Sequence, residues 1–99
     1  MSIEFSHNGQ RVSRDPIQVG AESTTILAFN VHRRYANIYN NSSKDIVWIS
    51  FNIPAEEFKC VPILPRTSYV IDYSNLTPAD INAITGTGGS AIVSVTECV

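Results

Sequence analysis

Charge is what this chain has least of. Only 16% of its 99 residues are Asp, Glu, Lys or Arg, against roughly 25% in an average globular chain. The formal net charge is −2. That balance excludes a basic nucleic-acid binder working by bulk charge, which needs a clear positive excess, and no nucleic-acid partner is expected. Hydrophobic residues at 43% exclude the composition of a disordered chain. Long apolar runs are lacking as well. No stretch approaches the roughly 20 residues that span a bilayer, so no membrane partner is expected. The segment Met1 to Gly9 has neither the basic region nor the apolar stretch of a secretory signal, and the expectation is a soluble domain made without export.

Chemistry-bearing motifs are equally sparse. His7 and His32 sit in different segments with no carboxylate or cysteine at ligand spacing, and Cys60 and Cys98 form no CxxC pair. A zinc site needs three or four converging ligands, so neither a metal nor any other cofactor is expected. No serine lies in a Gly-x-Ser-x-Gly elbow. Glu56 and Glu57 are adjacent, and on a strand would point to opposite faces. Gly86-Thr87-Gly88-Gly89 lacks the Lys-Ser/Thr that ends a phosphate-binding loop, and no helix follows it, so it reads as a hairpin turn. The chain is not expected to be an enzyme. Cys60 and Cys98 leave three alternatives: reduced thiols, the default in a cytosolically made protein; a bond within the chain, closing a loop of about 38 residues; or a bond between protomers.

What is present is strand. Thr24 to Phe29 is β-branched and aromatic, and Arg34 to Asn40 alternates. Ile46 to Phe51 is apolar at nearly every position, while Val61 to Leu64 and Tyr69 to Tyr73 are shorter runs broken by Pro54, Pro62 and Pro65. Ile81 to Ile84 and Ala91 to Thr96 flank the glycine turn. Asn40 to Asp45 is a polar turn cluster. One helical turn is expected after Thr77, with Pro78 in the first position. Short strands at turn spacings of about ten residues are the pattern of an all-β sandwich. The expected fold is a single antiparallel β-sandwich, jelly-roll or immunoglobulin-like, of about six to eight short strands over residues 23–99. Residues 1–22 are expected to be an extended arm, with one short strand near Ile17 to Val19 and Asn8-Gly9 as a turn.

On β-geometry Ile46 and Trp48 share one side of their strand, and Val47, Ile49 and Phe51 share the other. Both sides cannot face one core. The second must be covered by the arm, a loop or another subunit, because an exposed aromatic-aliphatic patch marks an interface. Val47, Trp48 and Phe51 are therefore the candidate packing residues, with Arg33 and Arg34 available for charge pairs at a rim. An alternative groups Tyr35, Tyr39 and Trp48 as a sugar-stacking platform of a carbohydrate-binding or adhesion module.

From Arg34 to Ile49 the chain reads Arg-Tyr-Ala-Asn-Ile-Tyr-Asn-Asn-Ser-Ser-Lys-Asp-Ile-Val-Trp-Ile. This resembles small tailed-phage virion proteins, in which an alternating strand, an Asn-x-Ser turn and a second strand follow an arginine. Leu64-Pro65-Arg66-Thr67-Ser68-Tyr69 takes the place of that family's Leu-x-Pro-Gly step, and Gly86-Thr87-Gly88 leads to its closing Val93-Ser94-Val95-Thr96-Glu97 strand. The likeness spans residues 33 to 97. It departs at Pro65-Arg66, where Pro-Gly is usual, and at Glu56 to Cys60, where the connection is usually small and glycine-rich. The resemblance implies a virion structural protein: capsid decoration, fibre base, or head–tail and tail accessory. It would be made in the host cytoplasm, would form a homo-oligomer with a trimer as the first candidate, and would bind the major capsid protein or tail and neck proteins.

Overall fold

The strand-forming segments pair as one long hairpin rolled onto itself. A computed structural model describes residues 11–13 and 15–99; the expected Asn8-Gly9 turn lies outside them. The strands are β1 (Arg11–Ser13), β2 (Ile17–Val19), β3 (Thr24–Leu27), β4 (Tyr35–Asn40), β5 (Val47–Phe51), β6 (Val61–Ile63), β7 (Ser68–Ile71), β8 (Ile81–Ile84) and β9 (Ala91–Cys98). β5 pairs with β6 at the tip, β4 with β7, β3 with β8, and β1 and β2 with β9, all antiparallel. Rolling adds β4 to β9 and β5 to β8. Two sheets result, β1/β2-β9-β4-β7 and β3-β8-β5-β6, and every connection after β2 except β5 to β6 crosses between them. That is jelly-roll connectivity, which decides between the two sandwich forms.

The interior is aliphatic. Val19, Ile26, Leu27, Ile38, Val47, Ile49, Ile63, Ile71, Ile81, Val93 and Val95 form its body, with Phe51 and Tyr69 half-buried at its margin. Among the described residues no aromatic ring is fully buried. β4 shows the cause: its burial alternates strictly, with Ala36, Ile38 and Asn40 inward and Tyr35, Asn37 and Tyr39 outward.

Three local expectations change. The described part of the 1–22 segment supplies a sheet edge, with Arg11 to Ser13 opposite Cys98 to Thr96 and Ile17 to Val19 opposite Val93 to Ala91. No helix forms after Thr77; its hydroxyl only accepts the Ala79 N–H at 3.2 Å. The carbonyls a helix would consume are spent elsewhere, Pro78 on the Asn30 N–H and Thr77 and Ala79 on Arg33. The 86–89 turn closes with Gly89 N–H on the Gly86 carbonyl at 2.9 Å and Gly88 at φ 79°. It links the two sheets rather than two paired strands, so it is not a hairpin turn. At Pro65-Arg66 the tight turn survives without glycine: Arg66 itself takes φ 61°, and the Thr67 N–H reaches the Leu64 carbonyl at 3.1 Å.

Candidate functional site

Strand direction sends the 28–34, 52–60 and 72–80 connections to one end of the sandwich. The first and third are joined there by Arg33, whose side chain has no exposed surface. Its Nε donates to Glu97 Oε2 at 2.8 Å. Nη1 donates to the carbonyls of Thr77 at 2.9 Å and Ala79 at 2.8 Å, and Nη2 to that of Ala28 at 2.8 Å. Burial of a guanidinium is tolerable only with its donors matched in this way. Arg33 is thus a staple between two loops and β9, and does not stand at a rim. Arg34 is exposed, its N–H donating to the Cys98 carbonyl at 2.8 Å.

The stapled loops carry large apolar side chains outward: Phe29, Val31, Leu76 and Tyr73, the last 93% exposed. Tyr73 rides on an Asx turn in which Asp72 Oδ1 accepts from the Ser74 N–H at 2.9 Å and its hydroxyl at 2.6 Å. Those two donors, the hydroxyl first, hold the Asp72 carboxyl below its ordinary pKa. None of these four residues stood out in the sequence. A loop position gives no periodic signal, and only the absence of a partner strand exposes it.

On β5 the division of faces is as expected. Val47 and Ile49 are fully buried in the core, while Trp48 points the other way. Val47 therefore offers no surface to a partner chain, and Phe51 packs beside Tyr69 with ring centroids 6.2 Å apart. The outer side of β5 is covered by the chain's own 52–60 connection, which folds back over it as a strap. The Ile53 carbonyl accepts from Ser50 Oγ at 2.6 Å and Asn82 Nδ2 at 2.7 Å, and the Ala55 N–H donates to Ser23 Oγ at 2.8 Å. Phe58 then lies edge-on against Trp48, with centroids 5.5 Å apart. Asn52, Phe58 and Cys60 all take positive φ, near 67°.

Tyr35 and Tyr39 lie on the outer side of the other sheet, so they share no platform with Trp48. Cys60 and Cys98 are both free thiols, the first exposed on the strap and the second buried at the end of β9, which leaves no bond within the chain. Among the described residues no three His, Cys, Asp or Glu side chains converge as metal ligands.

A cavity of about 270 Å³ opens beneath the strap. Trp48 and Phe58 form one wall, Lys44 and Asp45 a second, and Glu57 with the Gly86–Gly89 turn a third. Glu57 fits because Gly86 has no side chain; a Cβ there would stand within van der Waals overlap of its carboxylate. No protein-family model matches the chain, nor does any curated protein or solved structure.

Proposed function

We propose that this chain is a non-enzymatic virion structural protein that assembles with copies of itself, as a trimer or larger ring, and binds a phage capsid or head–tail assembly. The observation that carries the reading is the end built by the 28–34 and 72–80 loops, where Phe29, Val31, Tyr73 and Leu76 are exposed on backbone held by a buried arginine. Exposed rings and aliphatic chains mark contact surfaces. Loops already fixed in shape lose little entropy on docking, which leaves more of the apolar burial as affinity. Low surface charge fits subunits that meet over large areas, and Arg34 sits beside the patch for a charge pair at its rim. Localisation in a virion made in the host cytoplasm belongs to the same proposal, as does the likeness over residues 33 to 97.

Absolute mass by light scattering after size exclusion tests it, with and without reductant. The expected result is a stable oligomer that survives reductant and falls to 10.9 kDa protomers in the Phe29→Ser/Tyr73→Ser double variant. A parent chain that stays monomeric at every concentration, and that co-sediments with neither capsids nor tails, overturns the reading.

A further inference from the structure

We propose that the cavity beneath the strap is a binding site for one neutral hexopyranose unit. It lies at the end opposite the Arg33-stapled loops, between the 41–46 and 85–90 connections, and its use does not depend on the assembly reading.

Its lining selects the ligand by elimination. The Lys44 side chain has no hydrogen-bond or ion-pair partner among the described residues, and neither does the half-buried Glu57 carboxylate. Asp45 lines the same cavity, with Oδ2 accepting the Ser90 N–H at 3.2 Å. Two carboxylates in so small a space repel an anion, and the Lys44 ammonium offsets part of their pull on a cation. A neutral group that both donates and accepts satisfies all three at once, its hydroxyls donating to Glu57 and Asp45 and accepting from Lys44. Trp48 adds the second requirement, an aromatic surface against which the C–H face of a pyranose ring lies. About 270 Å³ stands near the lower bound of ligand sites and suits one ring rather than a chain of them.

Two backbone features border the space. Phe58 is 76% exposed yet keeps φ 67°, so burial of its ring does not compensate a backbone conformation that a bulky L-residue avoids. Its ring packs against Trp48 with centroids 5.5 Å apart, and both rings line the cavity. Opposite it, the bare glycine backbone at Gly86 lets the Glu57 carboxylate lie at the margin of the space.

Trp48 is the chain's single tryptophan, so intrinsic fluorescence reports from the site itself. The experiment titrates the full chain with methyl α-D-glucoside, methyl β-D-galactoside and N-acetylglucosamine, with glycerol as a polyol that has no ring. The expected result is a saturable change with at least one sugar, with a Kd on the order of millimolar, and none with glycerol. Glu57→Gln should bind that sugar about tenfold more weakly, one charge-assisted hydrogen bond being lost, with an unchanged urea midpoint. Gly86→Ala, which pushes the carboxylate aside, should weaken binding in the same direction. The proposal is overturned if no sugar gives a saturable change, if glycerol gives the same change, or if Glu57→Gln binds like the parent. A chain that oligomerises but ignores all three sugars sinks this site and leaves the assembly reading standing.

Discussion

Arg33 and Arg34 are neighbours in sequence and opposites in role. Arg33 donates four hydrogen bonds to four residues with no exposed side-chain surface, whereas Arg34 is exposed. Removing the Arg33 guanidinium takes the donor from the carbonyls of Ala28, Thr77 and Ala79 and one partner from Glu97, a loss of about 3–5 kcal/mol for a buried, hydrogen-bonded charge. Arg33→Met should therefore lower stability by about that much in urea titration, while Arg34→Met should stay within about 0.5 kcal/mol. Arg33→Lys should recover little, since a single ammonium cannot reproduce a planar fork reaching Ala28, Thr77, Ala79 and Glu97 together. Nothing in an Arg-Arg pair foretells which is inside; the answer comes from where the 72–80 carbonyls arrive. Asp72 acts at the same scale. Its folded pKa is lowered, so its support of the Tyr73 turn is present above the ordinary aspartate range and is lost as pH falls through the folded value. Ser74→Ala removes the largest cause, and the Asp72 titration followed by NMR should move up toward the ordinary carboxylate range. The contribution of Asp72 to holding Tyr73 should accordingly stay constant between about pH 5 and 8.

The strap is where sequence and structure meet most usefully at the scale of elements. Alternation along β5 requires that its second face be covered, and the covering element is the 52–60 connection, with Phe58 against Trp48. The strands themselves were legible because β-branched runs between turn clusters leave few alternatives. Their partners were not: the roll brings β9 against β4, residues some 60 apart in sequence, and no local signal encodes that. The apparent helix at Thr77 and Pro78 was a sound local preference overridden by tertiary hydrogen bonds, the carbonyls being required by Arg33 and Asn30. Asn82 is one of the strap's anchors, donating to the Ile53 carbonyl at 2.7 Å while its Oδ1 accepts from Thr25 Oγ1 at 2.7 Å. Asn82→Ala should cost about 1–3 kcal/mol. Hydrogen exchange at residues 52–60 should quicken in that variant while exchange in β4 and β9 follows only the global loss.

At the scale of the whole molecule the question is how a low-charge sandwich, with four sheet edges among the described residues, avoids pairing at the wrong ones. Each edge is interrupted by a different device. β1 and β2 are separated by the Asp15-Pro16 break, β3 shifts register between Thr25 and Leu27, and β6 carries Pro62, which has no N–H to offer. β7 has no proline, charge or bulge in Ser68–Ile71. Its protection is Asn75, whose Nδ2 donates to the Val70 carbonyl at 2.9 Å while its Oδ1 accepts the Asp72 N–H at 2.8 Å. One side-chain amide thus occupies two backbone groups that a foreign strand would use. Asn75→Ala frees both at the margin of a strand whose Val70 is already exposed. The variant should keep a folded core, with its far-ultraviolet dichroism unchanged, yet show concentration-dependent growth in mass beyond that of the parent chain in light scattering. That growth should be abolished by adding Val70→Lys, a charge on the freed edge. Self-association that persists in the double variant would instead belong to the apolar loop end, and the edge would be acquitted.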